Sequence, residues 1–336
     1  MISQPDNDNP ETRINIVWNK EKENMNHLRY FVGGTIAGVA AATATVYGIY
    51  RYGFYSPRGS QNDDYRILIP MSEDQHNKSI TMIDRLRARP YEHVHIRSYD
   101  GLSLSGRYYH LKDDAPLAIL CHGYRGTPSR DFCGGADICF NMKLNVLLIE
   151  ERAHCLSEGH VITFGVKERY DVLSWINYAV DRFGSNTKIL LAGISMGGAT
   201  VLMTSGLRLP QNVRGVLADC PFTSPAEMIM EFGRTRKLPM KIAYPMAGIA
   251  AKLFGDFSLK DADAVEAVKN TEVPILIIHG EADGLVPCEM SRRIAEANPE
   301  KISRYTFPGA AHGTSYITDT VRYTSLVEEF CKSIFK

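Results

Sequence analysis

"LLAGISMGGAT", residues 190–200, is the stretch on which the fold turns. An apolar run ends in Gly193, a lone serine stands at 195, and two glycines open the next segment. "KILLAGI" (188–194) has the length and unbroken apolarity of a strand covered on both faces. "GGATVLMTSGLRL" behind it reads as a helix. A strand that enters a helix this quickly must turn sharply. Gly193 and Gly197 stand two before and two after Ser195, where side chains would collide across that turn. The turn pushes the serine above the sheet, and the helix aims its free amides and positive dipole end at it. G-x-S-x-G alone occurs by chance; between a buried strand and a helix it marks a nucleophile.

Outward from this point the same grammar repeats. "HVHIRSYDGLSLSGRYYH" predicts two alternating strands around a turn at Asp100-Gly101. "LAILC" (117–121), "NVLLIEE" (145–151), "VRGVLAD" (213–219), "PILIIHG" (274–280) and "ISRYTFPG" (302–309) predict further strands. Helical segments fall between them, among them 167–184, which Gly184 stops. Repeated strand–helix alternation predicts a mostly parallel sheet with helices on both faces, the leading hairpin adding an antiparallel edge. Residues 220–273 exceed any usual connection. An insertion at about 222–270 is read as a small helical cap, two short helices broken near Pro239. Residues 66–90 hold a helix leading into the domain, which spans 66–336.

In a parallel sheet, sites form at the carboxyl ends of strands. A nucleophilic serine needs a base and a group to orient that base, expected in the order serine, acid, histidine. Asp283 follows "PILIIHG" and His312 follows the last strand, both in loops at the edge that carries Ser195. Alone, Asp283 is a turn former and His312 a surface histidine; the three together read as a triad. Oxyanion donors are expected from the backbone amides of Tyr124 and Met196, on a loop that begins His122-Gly123. Asp219, at the end of another strand, is the alternative acid and is assigned to loop support. Cys121 and Cys220 lie at the same edge and read as packing thiols. His93 and His95 share a strand face as metal ligands might, but no third ligand is evident, so they read as surface residues and no metal is expected.

With these residues in order, the chain resembles the α/β-hydrolase superfamily over about residues 90–336, through "HGYRG", "GISMGG", "HGEADGLVP" and "GAAHG". More narrowly it is similar to bacterial membrane-anchored serine hydrolases of the prolyl oligopeptidase-like and BEM46-like kind, through "ERAHCLSEGHVITFGVKERYDVLSWINY". The resemblance implies an eight-stranded, mostly parallel sheet, no cofactor, and hydrolysis through an acyl-enzyme. One departure stands out. Many members carry R-G-H-G-x-S where this chain has Arg152-Ala153-His154-Cys155-Leu156-Ser157, so Ala153 and Cys155 replace glycines.

The 336 residues carry 38 Lys plus Arg against 38 Asp plus Glu, a balance that gives no reason to expect nucleic acid. The seven cysteines are odd in number, irregularly spaced and form no C-x-x-C, which points to free thiols. "FVGGTIAGVAAATATVYGIY" (31–50) has no charge and the length to cross a bilayer. It reads as a single N-terminal membrane anchor, with a buried helix or a cleaved signal peptide as the alternatives. Residues 1–30 form a polar, disordered tail and 51–65 a linker. Lys20, Lys22 and Arg29 before the run balance Arg51, Arg58 and Arg66 after it. A start at Met25 would favour a domain outside the cytoplasm. Gly34 and Gly38 form a weak helix-pairing motif, and "RTRK" (234–237) faces a bilayer, an anionic substrate or solvent.

The activity expected is hydrolysis of a carboxylic ester or thioester by a Ser195–His312–Asp283 triad. A small-molecule acyl substrate is the partner. Peptidase activity is the same-chemistry alternative; these 336 residues show no propeller to sieve peptides. A non-catalytic binding protein of the same fold is the alternative from another class, and it would usually have lost a triad member.

Overall fold

The unbroken apolar runs form the middle of the sheet. A computed structural model describes residues 10–57 and 72–336. The hairpin is β1 (Glu92–Arg97) and β2 (Ser103–Tyr109). Every residue of β3 (Leu117–Cys121), β4 (Asn145–Ile149) and β7 (Ile275–Gly280) is buried, as a strand covered on both faces must be. β5 (Ile189–Ile194), β6 (Val213–Asp219) and β8 (Ile302–Phe307) complete a sheet of order β1-β2-β4-β3-β5-β6-β7-β8. β2 runs antiparallel to β1 and β4, and the remaining neighbours are parallel.

Alternation along the strands feeds two faces. Ala118 and Leu120, Val146 and Leu148, Leu190 and Ala192 share one core with Leu86 of α2 (Glu73–Ala88), Phe132 and Ile138 of α3 (Pro128–Asn141) and Val327 and Ile334 of a C-terminal helix (Thr320–Ile334). The intervening residues face α4 (Glu168–Phe183) and α5 (Met196–Ser205), where Trp175 is fully buried and approaches Gly106 of β2. A Cβ at position 106 would meet the indole at 3.0 Å, which explains the glycine there. The helices that follow β6 are α6 (Pro225–Thr235), α7 (Met240–Gly255) and the short α8 (Ala264–Val268). Ser224 caps α6, and Pro239 immediately precedes α7, so the break between the two helices falls beside that proline. α9 (Cys288–Glu296) joins β7 to β8; α10 (Ser315–Thr318) and α11 (Thr320–Ile334) close the chain.

The N-terminal part departs from the sequence reading. The chain divides into two compact units at Ile49/Tyr50. α1 is one helix of 44 residues, Pro10–Gly53. Residues 10–30, expected to be disordered, are helical; the tail's residues 1–9 lie outside the described residues. Its Lys, Glu, Arg and Met are good helix formers, and extending a helix costs far less than nucleating one. Within Trp18–Gly53 the chain is long and apolar enough to cross a membrane, with a mean hydropathy of 1.4. The hydroxyls of Thr35, Thr43 and Thr45 each donate to the carbonyl four residues back, so these polar groups are satisfied inside the helix.

The linker reading also needs correction. Residues 51–53 end α1, and Tyr50–Ser56 belong to the second unit rather than spanning a gap before residue 66. Phe54 is 1% exposed, edge-on to Phe164 and Phe257. Tyr55 bridges Val161, the Ile162 amide donates to the Phe54 carbonyl, and the Ser56 amide donates to that of His160. A segment without apolar period still supplies a strap of this kind, because one aromatic side chain and the two backbone bonds of the bridge suffice. Residues 58–65 of the predicted linker lie outside the described residues.

Candidate active site

Ser195 sits between β5 and α5 with φ 55° and ψ −116°, a strained conformation for an L-residue. Its amide donates to the Asp219 carbonyl at 2.8 Å, tying the turn to the neighbouring strand. A Cβ on Gly193 would overlap the Gly197 carbonyl, and one on Gly197 would overlap that of Cys121. The two glycines are therefore required by contact across the turn.

The loop after β8 brings His312 to the serine. Its Nε2 lies 2.8 Å from Ser195 Oγ and its Nδ1 2.7 Å from Asp283 Oδ2. With Nδ1 donating to the carboxylate, Nε2 is left to accept from the hydroxyl. Asp283 Oδ1 accepts the amides of Leu285 (2.9 Å) and Val286 (2.8 Å), so the carboxylate is fixed at both oxygens. Burial pushes the Asp283 carboxyl up, but the hydrogen bonds from His279, His312 and the Val286 amide outweigh it and hold its pKa well below the usual carboxylate range.

His279 has no role in the sequence reading. Its Nε2 lies 3.0 Å from the Val286 carbonyl and 3.2 Å from Asp283 Oδ2, both acceptors, so that nitrogen carries the proton. It holds the same carboxylate oxygen that accepts from His312. The signal was the histidine of "HGEADGLVP", four residues before Asp283.

The loop after β3 lies against the serine: a Cβ on Gly123 would stand 3.4 Å from that of Ser195. The Gly123 amide donates to Asp131 Oδ2 (2.8 Å) and the Arg125 amide to His154 Nε2 (3.0 Å). The amides of Tyr124 and Met196 have no acceptor among the described residues. His122 and His154 meet edge to face at 4.7 Å, both fully buried. Each turns Nδ1 to a carbonyl, Gly123 and Arg152 respectively, so each Nε2 accepts a backbone amide, from Glu151 and Arg125. Burial lowers both pKa values, that of His154 strongly and with help from His122. His154, Arg125 and Asp131 were not assigned from sequence, because their work is to hold backbone groups that only the folded chain brings near.

Ala153 and Cys155 keep the conformation a glycine would favour, at φ 61° and 46°. Arg152, immediately before them, is buried and paired with Asp171 (2.6 and 2.7 Å) and Asp100 (2.9 and 3.1 Å). Four charge-assisted bonds hold the loop in a strained backbone.

Asp219 does not reach His312. It accepts from the Tyr323 hydroxyl at 3.0 Å, and burial raises its carboxyl to about 6 despite that bond. Cys121 and Cys220 are buried, and burial pushes both thiols far up. Cys220 Sγ lies within 4.8 Å of ligand atoms of Asp283 and His312. A protonated thiol beside an acid and a histidine already bonded to each other is a poor metal clamp. His93 and His95 stack at 6.2 Å on the exposed face of β1.

Residues 163–336, just over half of the chain, match the prolyl oligopeptidase family. The chain belongs to the prolyl oligopeptidase family. This family member is also similar to the Bacillus subtilis protein YqkD, 25% identical over 236 residues that cover 70% of this chain and 77% of that one. Its fold superposes on the Pyrococcus furiosus esterase Pf2001 with a TM-score of 0.64 at 20% identity, covering 85% of this chain and all of the esterase. It superposes on the Pyrococcus horikoshii acylaminoacyl peptidase with 0.57 at 15% identity, over 77% of this chain and 43% of the peptidase. The fold is that of an α/β-hydrolase, and this prolyl oligopeptidase family member is a serine hydrolase.

Proposed function

We propose that the protein hydrolyses a carboxylic ester or thioester through an acyl-enzyme on Ser195. The observation that carries this reading is the His312 imidazole, within hydrogen-bond distance of Ser195 Oγ at 2.8 Å and Asp283 Oδ2 at 2.7 Å. His312 Nε2 takes the hydroxyl proton as Oγ attacks the acyl carbon. Asp283 steadies the imidazolium. The carbonyl oxygen becomes an oxyanion held by the Tyr124 and Met196 amides, with the α5 dipole behind them. The tetrahedral species collapses, the alkoxide or thiolate leaves with the proton from His312, and the acyl group stays on Oγ. Water, deprotonated by His312, then attacks the acyl-enzyme and releases the acid, and Oγ regains its proton.

Hydrolysis of p-nitrophenyl acetate, butyrate and octanoate by the full chain and by Ser195→Ala tests it. Loss of one catalytic serine should lower kcat by on the order of 10⁶. Turnover equal in both proteins, or none in either together with no fluorophosphonate labelling of a folded sample, sinks it in favour of a binding protein. Family membership favours one second reading, cleavage of short peptides. Faster turnover of aminoacyl p-nitroanilides than of the esters would select it. We further propose that the apolar part of α1 anchors the chain in a membrane, supported by its uncharged run 31–50 and its internally satisfied threonines.

A further inference from the structure

The second unit carries apolar side chains where a soluble helix should be polar. Five exposed large apolar residues, Met230, Leu238, Ile242, Ile249 and Leu253, fall within the α6–α7 stretch; the others described in this unit are scattered, as is ordinary. α7 buries Ala247, Ala250, Ala251 and Gly255. Its opposite face shows Ile242 (62% exposed), Ile249 (47%) and Leu253 (70%), with exposed Pro245 between them. Steps of three, four and four residues put these on one stripe. A surface helix normally turns such a stripe inward.

Charge accompanies the stripe. From Phe232 to Gly255 the chain holds Arg234, Arg236, Lys237, Lys241 and Lys252 and no Asp or Glu, in a protein whose formal net charge is zero. Lys241 and Lys252, three turns apart, flank the two ends of the stripe, and all five cations are exposed. Two copies meeting face to face here would oppose like charges. An anionic lipid surface satisfies both features: acyl chains take the apolar residues, and lysine and arginine stems extend to the phosphates.

Tyr50 and Tyr52 add an independent tie. Tyr50, the last residue of the uncharged run, lies 5.5 Å from the ring of Phe254 on α7. Tyr52, 60% exposed, lies 6.0 Å from Phe232 on α6. Tyrosine is a residue of the membrane–water boundary. The segment that leaves the apolar run is thus fixed to the helices that carry the stripe. We propose that the outward face of α7, with the basic α6–α7 corner, is a second membrane contact that rests on anionic phospholipid.

The test uses the full chain in vesicles of phosphatidylcholine brominated on its acyl chains, with and without phosphatidylglycerol. Leu253→Trp is placed in a Trp18→Phe background, which leaves only the fully buried Trp175 besides the introduced indole. The proposal expects emission of the Leu253→Trp variant to drop about two-fold or more when phosphatidylglycerol is present, because an interfacial helix reaches the acyl boundary. Salt at about 1 M should reverse the increment due to the anionic lipid. Ile242→Trp should behave alike, and Lys332→Trp, on α11, should stay unquenched. No quenching at either 253 or 242 overturns the proposal, as would equal quenching with and without phosphatidylglycerol. A dimer that leaves both positions unquenched would give the face to a second copy and also overturn it. Flotation with the vesicles that lack phosphatidylglycerol reports α1, and the phosphatidylglycerol-dependent quenching of the indole introduced at position 253 reports α7, so the two membrane readings fail separately.

Discussion

Ser195 and the loop around Arg152 hold strained backbone for different reasons. At Ser195 the strain presents a hydroxyl above the sheet. At Ala153 and Cys155 it shapes a loop whose neighbours hold His154 against Arg125. Left-handed geometry costs an L-residue about 1–2 kcal/mol, part of which glycine gives back as unfolded-state entropy. Ala153→Gly should therefore stabilise the protein by about 1 kcal/mol in urea unfolding. An unchanged or lower midpoint would show that the methyl group contributes contacts worth more than the strain.

The buried histidines set a pH dependence with a definite sign. His154 is neutral in the fold, with its pKa well below 6.5, whereas the unfolded chain takes up a proton near 6.5. Below that pH the unfolded state binds more protons, so stability falls as pH falls. One such group contributes a slope of up to about 1.4 kcal/mol per pH unit. Urea unfolding from pH 7 to 5 should show a slope shallower by about that amount in His154→Gln. Equal slopes in the two proteins would place the proton elsewhere.

At the scale of elements, the strap Tyr50–Ser56 joins the candidate oxyanion loop to α7. The Tyr124 hydroxyl donates to the Gly53 carbonyl at 2.9 Å, and Arg125 Nη2 to the carbonyls of Tyr52 (2.8 Å) and Tyr55 (3.2 Å). Tyr124 also stacks on Phe164, which meets Phe54. Phe54→Ala should cost about 3–5 kcal/mol of stability, the usual range for a buried phenylalanine. It should also lower kcat for p-nitrophenyl butyrate, by up to about 100-fold if the loop amides shift by an ångström. Destabilisation with kcat intact at a temperature where the protein is folded would limit the strap to stability. Helices and strands with clear periodicity were legible in the sequence, down to the break at Pro239. The strap was not, because "RYGFYSP" has no period and its bonds go to residues about 70 and 105 positions away.

At the scale of the whole molecule, the zero net charge hides a division of labour. The uncharged run of α1 is proposed to enter the bilayer, and cations gather on α6 and α7. Alkaline carbonate should leave the full chain in the membrane pellet, whereas a chain beginning at Tyr50 should be released. Release of both would remove the anchor and leave α7 as the only proposed contact.

The sequence by itself determined the layered α/β sheet, because runs of apolar residues of strand length can be covered only from both sides. It also determined the G-x-S-x-G turn, whose glycines answer to contacts within a few residues and one neighbouring strand. Asp283 and His312 were legible as loop residues at one sheet edge. Only the tertiary structure decided that they meet at Ser195, that Asp219 faces Tyr323 instead, and that His154 and His279 buttress the site. Those choices depend on distances between loops 29 to 117 residues apart in the chain, which no local pattern records.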